Sequence, residues 1–215
     1  MNDTLSNVIH ALAAHGLQTM GHCAITPADA LPLDQGALIL VGPDEPRFWG
    51  IFSHSDFYAD GAAHPLDRWS QATLDALAAR FGGHAVYPFG GPPYFPFQSW
   101  AIRTGRAWAS PIGFLVHDRA GLFASYRGAL AVPWDMPPDT PGVKPCDACA
   151  DTPCKTACPV GAFNKGYDVP ICKGWLNSPQ GTDCMTQGCA ARRACPVGQG
   201  LRLPPQAAFH MGAFL

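Results

Sequence analysis

Cys146-Asp-Ala-Cys149-Ala-Asp-Thr-Pro-Cys154-Lys-Thr-Ala-Cys158-Pro159 opens a stretch that runs on through Cys172, Cys184 and Cys189 to Cys195-Pro196. Eight of the nine cysteines fall in it, and the ninth, Cys23, stands far upstream. Eight thiols suffice for two four-thiolate metal centres. Two of them precede proline, as in the bacterial iron–sulfur run whose last Cys ligates the other cluster.

Four readings compete for these thiols. Disulfides need an oxidising compartment, and Met1 to Leu17 shows no basic start, long apolar core or small-residue cleavage site of an export signal. An intracellular, cytoplasmic protein is therefore expected. Structural zinc favours paired C-x2-C knuckles, and only Cys146/Cys149 has that spacing. Free buried thiols would not gather in one stretch. Two cubane clusters fit the spacing best.

An internal repeat points the same way. Thr156-Ala-Cys158-Pro159-Val-Gly161 is echoed by Arg193-Ala-Cys195-Pro196-Val-Gly198. A dicluster ferredoxin module is pseudo-symmetric, and the cross-ligation rule then gives an assignment. Cys146, Cys149, Cys154 and Cys195 would hold one [4Fe–4S] cluster; Cys158, Cys172, Cys184 and Cys189 would hold the other. Four residues, Ala150 to Pro153, separate the second and third cysteines where the usual run has two. A labile or three-iron first cluster is conceivable on that spacing.

Charge is unevenly placed. Residues 1–143 hold seven Arg and no Lys against twelve acids, whereas residues 144–200 carry net +2. Cations such as Lys155, Lys173, Arg192 and Arg193 would stabilise a reduced, more negative cluster; a solvated basic face is the plain alternative. The overall charge of −2 excludes a broad nucleic-acid surface, and no apolar run approaches the ~20 residues of a membrane span. With 23 Gly and 22 Pro, loops should be many and helices short.

Upstream, Asp3 to His15 reads as a helix, capped by Asp3 or Thr4, with Leu5, Val8, Ile9 and Leu12 on one face and Gly16 behind it. Leu17 to Thr26 and Gly36 to Gly42 read as strands, the second buried. Phe48 to Phe52 suggests a short apolar helix. His64 to Phe81 keeps helical spacing through Leu66, Trp69, Leu74 and Leu77, and Gly82-Gly83 stop it. Ile112 to His117 and Leu122 to Val132 alternate like two paired strands around Asp118-Arg-Ala-Gly121. Pro133 to Pro145 holds five prolines and reads as a linker, and Leu201 to Leu215 as a short docked helix.

Residues 85–100 place four prolines among aromatics, which excludes a helix or sheet interior. Tyr87, Phe89, Tyr94, Phe95, Phe97 and Trp100 could wall a cofactor pocket, or simply form a rigid loop packed on the core. The eight histidines show no ligand spacing, and no phosphate loop or nucleophile–base pair is present. No catalytic residue is readable. Cys23 reads as a small buried apolar residue.

In chain order, a Pro/Gly segment leads to Pro96-Phe-Gln-Ser-Trp-Ala101. Ser110-Pro-Ile-Gly-Phe-Leu-Val-His117, Gly121-Leu-Phe-Ala-Ser-Tyr-Arg-Gly-Ala-Leu130 and the cysteine run follow, with Tyr167-Asp-Val-Pro-Ile-Cys172 at the isolated cysteine. This order resembles epoxyqueuosine reductase and, more loosely, reductive dehalogenases and CblC-type cobalamin-processing proteins. The resemblance covers residues 88–198, and cysteine order is its specific part. It implies an α+β chain: an α/β domain of the corrinoid-reductase/nitroreductase type over residues 1–135, then a ferredoxin-like dicluster module over residues 136–215. It also implies clusters that pass electrons to a cobalamin. The reductase's acidic residue has no counterpart in Phe89-Gly-Gly-Pro-Pro93, and a protein without the helical-repeat extension and basic surface that hold tRNA is expected. The expected function is therefore an iron–sulfur electron-transfer protein with a redox partner protein. The alternative is a cobalamin- or flavin-dependent reductase lacking the usual Asp.

Overall fold

The computed structural model describes residues 2–215, and side chains from residue 5 onward. The caps expected at Asp3 or Thr4 lie outside the described side chains. The chain is of mixed α and β class. In chain order its helices and strands are α1 (Asn2–Ala13), β1 (Leu17–Ala24), β2 (Ala37–Pro43), α2 (Arg47–Phe52), α3 (Asp56–Ala59), α4 (Pro65–Arg80), β3 (His84–Val86) and α5 (Phe97–Arg103). They continue with β4 (Ala107–Ala109), β5 (Leu115–His117), β6 (Gly128–Val132), α6 (Val169–Leu176), α7 (Thr182–Gln187), α8 (Ala190–Arg193) and α9 (Pro204–Phe214).

Two compact units divide these elements. The first is residues 1–106 with 125–141; the second is residues 107–124 with 142–215. The division is thus not a single cut near residue 135. Residues 107–124 fold with the cysteines, and residues 136–141 fold with the first unit.

The first unit is built on a four-stranded sheet in the order β1-β2-β6-β3, antiparallel throughout. Strand β2 is buried at every residue, which explains its unbroken apolar run, Ala-Leu-Ile-Leu-Val. Gly36 precedes it at φ +114°, and a Cβ there would stand 2.1 Å from the Val132 carbonyl oxygen, so only glycine lets β6 approach. The helical spacing upstream of Gly82 becomes α4, which buries Leu66, Trp69, Leu74 and Leu77. Phe48 and Phe52 of α2 meet Trp69 edge-on at centroid separations of 5.5 and 5.8 Å.

One buried carboxylate ties the loop after β1 to α5. Asp29 accepts hydrogen bonds from the Trp100 Nε1 (2.7 Å), both terminal nitrogens of Arg103 (2.8 Å each), the Thr26 backbone N–H (2.8 Å) and the Thr26 hydroxyl (3.0 Å). Burial opposes its ionisation, but the Arg103 guanidinium and the Thr26 and Trp100 donors outweigh that and hold its pKa at about 2, against an ordinary 3.8. Cys23 is buried here too, with Arg103 Nε donating to its Sγ at 3.3 Å; desolvation raises its thiol pKa.

Two expectations are corrected. Leu122 to Val132 is not the partner of Ile112 to His117. Strand β5 pairs with β4, while β6 belongs to the four-stranded sheet of the first unit. Between them, Leu122 and Phe123 are apolar because they are buried in the second unit, not because they alternate along a strand. Nor is residues 133–141 a free linker: His22 Nε2 meets the Pro137 carbonyl at 2.9 Å, and the His22 backbone N–H donates to Asp139 at 3.3 Å.

The second unit consists of the β4–β5 hairpin, short 3-10 turns at Pro145–Ala148 and Pro153–Lys155, and helices α6 to α9. The Cys-Pro repeat reappears as geometry. Gly161 and Gly198, each three residues after its cysteine, both adopt left-handed backbone, at φ +62° and +77°. Among the described residues no helix is long and apolar enough to cross a membrane.

Candidate metal centres

Short elements deliver the eight thiols because proline and glycine break the chain between them. Cys146 sits in the first 3-10 turn, Cys149 caps it, and Cys154 lies in the second turn. Cys195 follows α8. These four line one small apolar cavity, together with Ser110, Val116 and Leu122. Cys158 precedes Pro159, Cys172 lies in α6, Cys184 in α7, and Cys189 caps the N-terminus of α8. These four line a second small apolar cavity, with Phe163, Trp175, Leu176 and Met211. The two sets are the same groups of four that the cross-ligation rule yields, with Cys195 beside the early cysteines and Cys158 beside the later ones.

All nine cysteines are unbridged. Among the described residues, no three or more His, Cys, Asp or Glu side chains gather closely enough for a single metal ion. A tetrahedral zinc would draw four sulfurs to within about 2.3 Å of one point. Each set of four thiols lines its own small apolar cavity. An all-thiolate donor set in an apolar wall suits a compact metal–sulfur group that replaces water on every side.

Electrostatics within each set follows from this crowding. Burial raises the Cys154 thiol, and charge on Cys146, Cys195 and Cys149 raises it further. Burial also raises Cys146, opposed by Lys144 and reinforced by Cys195 and Cys149. In the second set, burial raises Cys189, while the Arg192 and Ala191 backbone N–H groups and the Arg192 charge favour its thiolate. The Ala162 N–H donates to Cys158 Sγ at 3.3 Å. The Tyr167 phenol is pushed well above its ordinary pKa, first by burial and then by its hydrogen bond to Cys172.

Of the cations singled out, Arg192 is held by Nε donation to the Leu122 carbonyl (2.6 Å), and its guanidinium lies 5.2 Å from the Phe123 ring centroid. Arg193 pairs with Asp183 and donates to the Gly188 carbonyl at 3.1 Å. Lys173 lies 5.1 Å from the Phe214 ring centroid, and Lys155 is exposed.

Gly121 holds the first cavity together from the hairpin side. His117 and Gly121 exchange backbone hydrogen bonds of 3.0 and 2.9 Å, making a tight turn. At φ +54°, a Cβ on Gly121 would stand 1.9 Å from the Val197 carbonyl oxygen and 3.1 Å from Cys195 Sγ. Glycine therefore lets this turn lie directly against the Cys195 segment.

The aromatic loop is dispersed. Phe97 and Trp100 lie on the buried face of α5, 5.1 Å apart, and Trp100 is committed to Asp29. Phe95 packs on Trp100 at 5.6 Å. Tyr87 stacks on Phe89 at 5.1 Å and donates to Asp75 at 2.6 Å. Tyr94 is 67% exposed. None of them lines either thiol cavity, nor the open hollow beside Asn164, Lys165 and Tyr167. Phe97 and Trp100 fill the core from helix α5 rather than from a loop.

Sequence reasoning passed over Ser110 as a functional residue, and it named Gly121 and Tyr167 only as family markers. Nothing in the letters distinguishes a hydroxyl that will face a metal cavity. Glycine before an apolar run is at best a weak turn signal. No family model matches the chain, and no curated protein matches it.

Proposed function

We infer that this chain is an iron–sulfur electron-transfer protein holding two [4Fe–4S] clusters, one on Cys146, Cys149, Cys154 and Cys195 and the other on Cys158, Cys172, Cys184 and Cys189. The observation that carries this reading is the partition of eight thiols into two four-thiol cavities, crossed in sequence at Cys158 and Cys195. When bound, such clusters supply one-electron redox chemistry. The protein's own residues do the rest. The thiols must lose protons as they take up metal, those of Cys146, Cys154 and Cys189 against a pKa raised by burial, so assembly releases protons. Apolar walls exclude water. Lys144 and Arg192 offset the thiolate charge, and the Tyr167 phenol donates to Cys172.

The same reading makes the second unit ferredoxin-like and the first a reduced corrinoid-reductase-type scaffold, with a redox partner protein in an intracellular setting. A reductant titration tests it. Anaerobically purified protein should show a broad visible absorption that dithionite bleaches, taking up about two electrons per chain. An absorption that dithionite leaves unchanged would remove the redox reading.

A further inference from the structure

Ser110 carries a buried hydroxyl with no partner. The residue is 9% exposed, and its Oγ has no hydrogen-bond partner among the described residues. It directly follows β4, and its backbone is fixed on both sides: its N–H donates to the Phe114 carbonyl at 2.9 Å, and its carbonyl accepts from the Gly113 N–H at 3.0 Å. The hairpin turn therefore holds the side chain in place rather than leaving it free to seek solvent. Ser110 lines the cavity shared with Cys146, Cys149, Cys154 and Cys195.

Buried hydroxyls in folded proteins are almost always satisfied, and an orphan points to a group that completes it. We propose that the Ser110 hydroxyl donates a hydrogen bond to sulfur of the metal–sulfur group held in the first cavity, and so sets its reduction potential apart from that of the second. The proposal rests on the iron–sulfur reading. A hydrogen bond to sulfur offsets negative charge and favours the reduced state more than the oxidised one. Ser110 is a positioning and tuning residue, not a ligand.

The test compares wild type, Ser110→Ala and Ser110→Thr as anaerobically purified holoprotein, with iron per chain measured first. In Ser110→Ala one cluster should become about tenfold harder to reduce, which is about 59 mV for a one-electron couple, while the other stays put. An exchangeable-proton coupling in the spectrum of the reduced first cluster should vanish with it. Ser110→Thr keeps the hydroxyl and should keep the wild-type potential. Full iron with both potentials unmoved in Ser110→Ala overturns the proposal and leaves the iron–sulfur reading standing. If Ser110→Ala loses the first cluster while Ser110→Thr keeps it, the hydroxyl is still the cause; if both lose it, the residue acts by packing and the proposal fails. A wild-type chain without iron defeats the underlying reading instead.

Discussion

Gly121→Ala tests how the hairpin and the cysteines are joined. The added Cβ would be built 1.9 Å from the Val197 carbonyl oxygen and 3.1 Å from Cys195 Sγ. Oxygen and carbon cannot approach that closely, so the turn or the Cys195 segment must move by more than an ångström. Two penalties combine. Alanine at φ +54° bears a left-handed backbone cost of about 1–2 kcal/mol. Overpacking a close-packed site adds about 1–3 kcal/mol. The total of roughly 2–5 kcal/mol corresponds to a Tm lowered by roughly 4–20 °C for a chain of this size. The displacement falls on one ligand set, so iron should be lost from the Cys146, Cys149, Cys154 and Cys195 site, leaving about four of about eight irons. The assay is thermal unfolding alongside iron analysis and the spectrum of the remaining cluster. An unchanged Tm, or equal loss from both sites, would refute the reasoning.

Three further outcomes follow from the same geometry. Cys195→Ala should damage the cluster shared with Cys146, Cys149 and Cys154, although Cys189 is nearer in sequence, and Cys23→Ala should leave iron content unchanged; iron analysis with spectroscopy of the surviving cluster separates the two. Tyr167→Phe removes the donor to Cys172, so potentiometry should find the second cluster harder to reduce and the first unmoved. Asp29 has its folded pKa depressed from 3.8 to about 2, so its contribution is present above pH 4 and lost as pH falls towards 2. By linkage that contribution is about 2 kcal/mol. Unfolding of wild type and Asp29→Asn should therefore differ by about that much near pH 6 and converge only as pH falls to about 2.

Much of the first unit was legible because its signals are local. The β2 run is apolar throughout since both faces are covered, and α4 declares itself by spacing and by Gly82. The order of the cysteines divides them into the same two sets that line the two cavities. The hairpin was not legible. Strands β4 and β5 are three residues each, too short for alternation to register, and Leu122 and Phe123 imitate a strand while serving the second unit's interior. The aromatic loop hid α5, whose first turn follows directly on Pro96. Ser110 stayed invisible because an unmet hydroxyl is a property of burial and neighbours, which letters do not record.

Counting metal tests the central claim most directly. Iron, acid-labile sulfide and zinc should be measured on the same anaerobically purified sample. About eight irons and about eight sulfides per chain, with zinc absent, are the expected result. Stoichiometric zinc with neither iron nor sulfide would mean that the cysteines hold structure alone, and the electron-transfer account would fall.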